Sequence, residues 1–291
     1  MSSELTGEEY PAPAYPQEAL EESTDLWEEI VRLRNLGQPA ALCTVLLARG
    51  STPGKETMKM LVRGDGSALG SVGGGCVERD VMQMAQEVIQ TDRAQTRSFT
   101  LNQADVPESG LICGGQVTIL AEPVVPPVLV LLGGGHVSGA AVRVARECDF
   151  RVEVCDTRPE YACAAKHPAA HATFCGAWEE ALARYGLAQH HYLVILTPGH
   201  REDLAALRAV WKRGCQPKYL GLIGSRAKKA QLDRILGDEG VPEAWLQAVK
   251  TPIGLEIGAK AAGEIAVSLV GELVRLRRCG LLQPAAAKPL R

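Results

Sequence analysis

The chain lacks what a membrane protein or a nucleic-acid binder needs. Its longest uninterrupted apolar runs, such as Val128–Leu132 and Leu193–Leu196, fall far short of the roughly 18 residues that cross a bilayer. Basic residues are not in excess: 31 Lys and Arg stand against 34 Asp and Glu, a formal net charge of −3. Such a balance offers no broad surface for neutralising phosphates, so DNA and RNA are not expected partners. The opening stretch MSSELTGEEYPAPAYPQEALEES has neither a charged n-region nor an apolar h-region and reads as an acidic, disordered leader over 1–24.

Paired cysteine motifs are missing too. The nine cysteines (43, 76, 113, 148, 155, 163, 175, 215 and 279) are odd in number, scattered, and form no CxxC. A disulfide scaffold and a structural zinc site therefore have no support, and a reducing, cytoplasmic setting is expected. His167 and His171 flank Pro168 and read as a solvated helix start rather than a metal pair. A P-loop fails because Arg49 stands where its first glycine belongs and Glu56 follows Lys55. No GxSxG nucleophile turn exists.

What is present suits two domains: 291 residues, 46% hydrophobic and 22% charged. A helix over 25–36 closes at Gly37, the apolar run Ala41–Ala48 has strand length, and Lys59–Val62 and Val117–Leu120 read as further strands. Between them a helix starts after GSVGGGC (70–76), with Val77, Val81, Met84, Ala85 and Val88 at helical spacing. Three prolines in EPVVPP (122–127) form a stiff connector. Beyond it, strands at 128–132, 151–156, 192–196 and 219–223 alternate with helices at 136–148, near 177–185, at 201–213 and at 226–236, and a long helix covers 259–278. The fold class is thus α/β: a mixed α/β domain over 25–121, a linker over 122–127, a Rossmann-like doubly wound parallel sheet over 128–278 and a flexible tail over 279–291. No internal repeat is visible.

Several loops could carry chemistry. LGGGHVSGA (132–140) places Gly133 and Gly135 at the first two positions of a GxGxxG turn, with Ser138 at the third and His136 opening the helix. Glycines there allow a tight turn and close backbone approach to a phosphate at the helix N-terminus. Asp156 ends the next strand 23 residues after Gly133, near the roughly 20 expected for an acid that bonds a ribose hydroxyl. Two further loops follow strand ends, Thr197–His200 and Gly224–Arg226. His200 with Asp203 could form an oriented acid–base pair; Ser225 could cap a helix, and Arg226, Lys228 and Lys229 supply charge suited to phosphate. The thiols of Cys76, after Gly73, Gly74 and Gly75, and of Cys113, before Gly114 and Gly115, stand beside glycines that bare backbone amides and remove side-chain bulk. At a helix start the dipole would favour thiolate at Cys76, against Glu78 and Asp80. Packed core thiols and displayed ones both remain open on these grounds.

Taken together these segments resemble the XdhC/CoxI family, accessory factors of molybdenum hydroxylases such as xanthine dehydrogenase. The carrying residues are RGSTPG (49–54), GSVGGGCVERDV (70–81), LICGG (111–115), LGGGHVSGA (132–140), CDTRPEYA (155–162), LTPGH (196–200), GLIGSRAKK (221–229) and PIGLEIGAKAAGEIAVSLVGELV (252–274). Glu256 replaces the usual aspartate, Ala261-Ala262-Gly263 a usual Thr-Pro-Glu, and Thr197-Pro-Gly-His200 a usual Thr-His-Asp-His. The resemblance implies a dimeric, two-domain protein that binds molybdenum cofactor (molybdopterin) transiently, works with a cysteine desulfurase that supplies the terminal sulfido ligand, and delivers the product to a xanthine dehydrogenase-type hydroxylase. It implies a maturation and insertion chaperone rather than a turnover enzyme. Cys76 and Cys113 would stand near molybdenum, and the Rossmann turn would hold a phosphate or nucleotide. The alternatives are an NAD(P)-dependent oxidoreductase using Gly133, Gly135 and Asp156, and a binding module with an empty Rossmann turn that dimerises through its last helix.

Overall fold

The structure, a computed structural model, describes residues 24–100 and 115–279. Asp25 opens the first helix by accepting the amides of Trp27 and Glu28, and α1 (Leu26–Leu36) ends at Gly37, whose φ of 67° lies in the left-handed region. Five strands follow with one helix among them: β1 (Ala40–Arg49), β2 (Lys59–Arg63), β3 (Ala68–Gly70), α2 (Gly75–Thr91), β4 (Gln95–Thr100) and β5 (Gln116–Pro123). They form an antiparallel sheet in the order β3-β2-β1-β5-β4. Alternation along β1 sends Ala41, Cys43 and Val45 toward α2, where they meet Val81, Met84 and Val88. Ala40 and Leu42 face the other way onto Ile30 and Leu33 of α1. Glu29, fully buried on α1, ties that helix to the sheet through Arg63 at 2.7 Å, with Arg32 at 2.7 Å on its other oxygen.

The second unit is wholly parallel. It comprises β6 (Val128–Leu132), α3 (His136–Glu147), β7 (Arg151–Asp156), β8 (Ala172–Cys175), α4 (Trp178–Arg184), β9 (Tyr192–Ile195), α5 (His200–Lys212), β10 (Tyr219–Leu222), α6 (Arg226–Asp238), α7 (Glu243–Ala248) and α8 (Ala262–Cys279). The sheet order is β10-β9-β6-β7-β8. Val128, Val130 and Leu132 face one core with α4 to α7, and Leu129 and Leu131 face the other with α3 and α8. The strand order reverses between β6 and β9, which puts the ligand crevice of such a sheet at their carboxyl ends. None of the described helices is long and apolar enough to cross a membrane.

The expected Rossmann-like sheet is present; β4, β8 and α7 are additions that short, polar or weakly periodic segments did not announce. His167 and His171 correct the expectation of a helix start. They lie among turns; His167 is buried with Nε2 bonded to the carbonyls of Gly134 and Tyr161, and His171 Nδ1 accepts the Val152 amide at 2.9 Å. Among the described residues no group of three or more His, Cys, Asp or Glu could hold a metal ion.

The units meet at the amino ends of the parallel strands. Asp92, which closes α2 in the left-handed region, pairs with Arg277 at the end of α8. Arg277 also donates to the Cys148 carbonyl at 3.0 Å, and Lys218, just before β10, donates to the Gln90 carbonyl at 2.7 Å. Replacing Asp92 by Asn, which tolerates the same backbone region, leaves the Arg277 charge unmatched in a largely dry contact. Urea unfolding of Asp92→Asn should show a stability loss of roughly 2 kcal/mol.

His191, at the start of β9, supplies a pH dependence. It is buried, its Nδ1 accepts the Ala188 amide at 3.0 Å, and burial, then His190, push its pKa from 6.5 down to about 3. The neutral ring's contribution is therefore complete above the unfolded histidine range and is lost as pH falls toward 3, because the unfolded chain binds a proton that the folded chain refuses. Between about pH 6.5 and 5 this costs roughly 2 kcal/mol. His191→Asn retains an acceptor without the titration, and its urea midpoint should fall less steeply over that interval.

Candidate functional site

The glycine turn after β6 has the geometry that its sequence demands. Gly133 has φ of 111°, and a Cβ there would crowd the Leu196 carbonyl at the end of β9. Ser138, fully buried, donates its hydroxyl to the Gly133 carbonyl, so the small third residue also braces the turn. Gly135 precedes α3 with open space around it, and His136 is exposed.

Asp156 reaches this turn but spends its oxygens within the chain. Oδ2 accepts the Gly134 amide at 2.8 Å, and the two oxygens bind the Arg158 guanidinium in a fork at 2.9 Å each, with the Arg158 amide on Oδ1 at 3.0 Å. Burial pushes this carboxyl's pKa up, but the Arg158 side chain and the two amides outweigh it and leave a net lowering. The segment after β7 then folds over the turn. A Cβ on Gly134 would overlap the Tyr161 carbonyl oxygen, and His167 Nε2 bonds both that oxygen, at 3.0 Å, and the Gly134 carbonyl, at 3.1 Å. Arg158 stacks on the Tyr161 ring at 3.8 Å. The side of the crevice where a ribose would meet the acid is thus filled by protein.

On the other side, Asp203 is buried beneath the Thr197–Gly199 loop. It accepts the Thr197 hydroxyl at 2.5 Å and pairs with Lys228 at 2.5 Å, while His200 stands exposed at the helix start. Asp203 therefore serves Thr197 and Lys228, not the histidine. Ser225 caps α6 by accepting the Lys228 amide at 3.2 Å. Lys228 is spent on Asp203 and the Ile223 carbonyl, and Lys229 on Asp233 and the Leu246 carbonyl. Of the basic trio only Arg226 extends into solvent, in a long 3.7 Å contact with the exposed Glu256.

Arg226 stands at one wall of a groove of about 620 Å³ whose other walls are the 250–259 segment and the first turns of α8. Glu272, buried on α8, holds that segment by accepting the Gly254 amide at 2.8 Å and the Tyr219 hydroxyl at 2.5 Å, with Lys250 at 3.4 Å. Ser268 adds a bond to the Leu255 carbonyl at 2.6 Å. Sequence reasoning missed Glu272, although an acid set among Ala266, Leu269, Val270 and Leu273 on an apolar helix face is a readable signal.

The thiol loop occupies the other unit. Glu78 Oε1 accepts the Ser71 hydroxyl at 2.5 Å and the amides of Val72, at 3.1 Å, and Gly74, at 3.0 Å, while Gly73 donates to Ser71. Burial raises the Glu78 pKa, and these donors together bring it below the usual value. Three amides of the glycine run are therefore used internally. Those of Gly75 and Cys76 have no acceptor among the described residues. Gly73 packs on Gly54, and Gly115 on Arg49, Ser51 and Thr52, so the Cys76 loop and the strand entering β5 both lean on residues 49–54. Cys113 and Gly114 lie outside the described residues. Cys76 is half-buried, whereas burial pushes Cys43 and Cys155 up to about 12 and silences them as nucleophiles. α2 meets the parallel unit through Asp92, at the end of the helix far from Cys76.

Comparison with known proteins gives the chain relatives in two bacteria and a match to two family models. A protein of Escherichia coli named uncharacterized protein YqeB is 30% identical over 259 residues, covering 87% of this chain and 46% of that one. A Bacillus subtilis protein described as a probable xanthine dehydrogenase subunit is 28% identical over 152 residues, covering 52% of this chain and 43% of its own length. The chain thus spans less than half the length of these curated relatives. A solved structure described as a xanthine dehydrogenase from Bacillus halodurans aligns with a TM-score of 0.48 at 21% identity, covering 89% of this chain and 97% of that one. Residues 33–100 match the XdhC and CoxI family and residues 129–273 match the XdhC Rossmann domain, each falling on one of the two units, and the chain belongs to the XdhC/CoxI family.

Proposed function

We propose that the protein binds molybdenum cofactor as cargo and assists its sulfuration and insertion into a xanthine dehydrogenase-type hydroxylase, acting as a dimer with a cysteine desulfurase as sulfur donor. Family membership and the likeness to the Bacillus subtilis xanthine dehydrogenase protein support the hydroxylase partner. The observation that carries the cofactor reading is Cys76: a half-buried thiol at the first turn of α2, in a loop whose Gly73 packs backbone on backbone against Pro53 and Gly54. A soft sulfur ligand on a helix start, with adjacent amides for anionic oxygens, suits a molybdenum–dithiolene cargo. Cys113 and Gly114, outside the described residues, are proposed for the cofactor site together with Gly115. Gly133, Gly135, His136, His200, Ser225 and Arg226 remain the proposed nucleotide or phosphate side, and Asp156 supports the glycine turn from within through Gly134 and Arg158.

An NAD(P)-dependent oxidoreductase would need Asp156 free for a ribose hydroxyl, and its oxygens are held by Gly134 and Arg158. The test is retention of molybdopterin by the purified full chain, read by fluorescence of the oxidised pterin, together with hydroxylase activation in cells. Cys76→Ala should lower both at least tenfold with the folding transition unchanged. Wild-type protein that retains no molybdopterin, or full activation by Cys76→Ala, would overturn the reading; tight NAD(P) binding abolished by Asp156→Ala would replace it.

A further inference from the structure

The Rossmann crevice has two halves, and they differ. The β7 half is closed by Asp156, Arg158, Tyr161 and His167, as above. Beyond β9, at the β10 edge, the groove of about 620 Å³ stays open, within the range of roughly 300–1,000 Å³ that small-molecule sites occupy. Ile253, Leu255, Ile257 and Ile265 give it an apolar interior; Ile257 is 55% exposed, an unusual outlay for a branched aliphatic side chain. Its charges are Arg226 and Lys250 against Glu256. Lys250 is partnered by Glu272 at 3.4 Å; Arg226, with 82% of its side chain exposed, has among the described residues only the 3.7 Å contact with Glu256, itself 94% exposed.

We propose that this groove is a binding site for one phosphorylated planar heterocycle of mononucleotide size, and that the crevice does not take a dinucleotide. The aliphatic walls sandwich the ring, and the phosphate takes Arg226 from Glu256, which acts as an internal counter-ion that any anionic ligand must displace. The walls are set in advance by the Glu272 and Ser268 bonds to the 254–255 backbone, so binding orders little of the chain. The site is separate from Cys76 and goes beyond the cargo reading; molybdopterin retention at the thiol stands or falls by its own measurement.

Equilibrium dialysis of the purified full chain with AMP, FMN and NAD tests it. Both monophosphates should bind, and NAD no more tightly than AMP. Arg226→Ala should weaken AMP and FMN at least tenfold, and Glu256→Gln should tighten both about threefold, a gain that a damaged fold would not produce. Failure of wild-type protein to bind either monophosphate, affinities indifferent to Arg226→Ala, or NAD binding tenfold tighter than AMP would overturn the proposal.

Discussion

The Asp156 carboxylate is the interaction around which the parallel unit's upper face is arranged. A buried carboxylate is tolerated only when its lone pairs are taken, and four donors from Gly134 and Arg158 take them. Two chain segments follow from that requirement. The Gly134 amide must point at the strand end, which fixes the turn's orientation, and Arg158 must curl back over β7, which draws Tyr161 and His167 across the glycines. An acid in the position of a ribose ligand thus becomes an internal fastener, and room for a ligand moves toward β10.

The domain contact imposes a second constraint. Asp92, Gln90 and Arg34 of the first unit meet Arg277, Lys218 and Arg151 at the amino ends of the parallel strands. A contact there leaves the carboxyl-end crevice uncovered. α2 is about 25 Å long at the usual rise per residue, and it meets the parallel unit through Asp92, at the end far from Cys76.

Most of the parallel unit was legible because its signals are redundant. β6, β9 and β10 are apolar runs, α3, α5 and α8 carry 3.6-residue stripes, and Gly133 and Ser138 have local duties that residue type alone reveals. The antiparallel unit was less legible. β4 reads QTRSFT with little hydrophobic content, since it is an edge strand paired on one side only. In the sites, the partners of the residues that the sequence singled out were not readable. Asp203 choosing Thr197 and Lys228, Glu78 absorbing the amides before Cys76, and Asp156 turning to Arg158 are all tertiary events between groups whose spacing in sequence allows several pairings.

PIGLEIGA (252–259) shows how far such a segment can be divided into what folding requires and what it leaves over. Gly254 has φ of 89°, and a Cβ there would overlap the Ser268 hydroxyl, so glycine is demanded twice. Its amide is demanded by Glu272, whose charge is in turn demanded by Tyr219 and Lys250. Leu255 is fixed through its carbonyl by Ser268. Glu256 and Ile257 owe nothing of this kind to the fold: one is an almost fully exposed acid and the other a half-exposed aliphatic residue beside a solvated cation. Neither side chain has a partner in the folded core, and both line the groove.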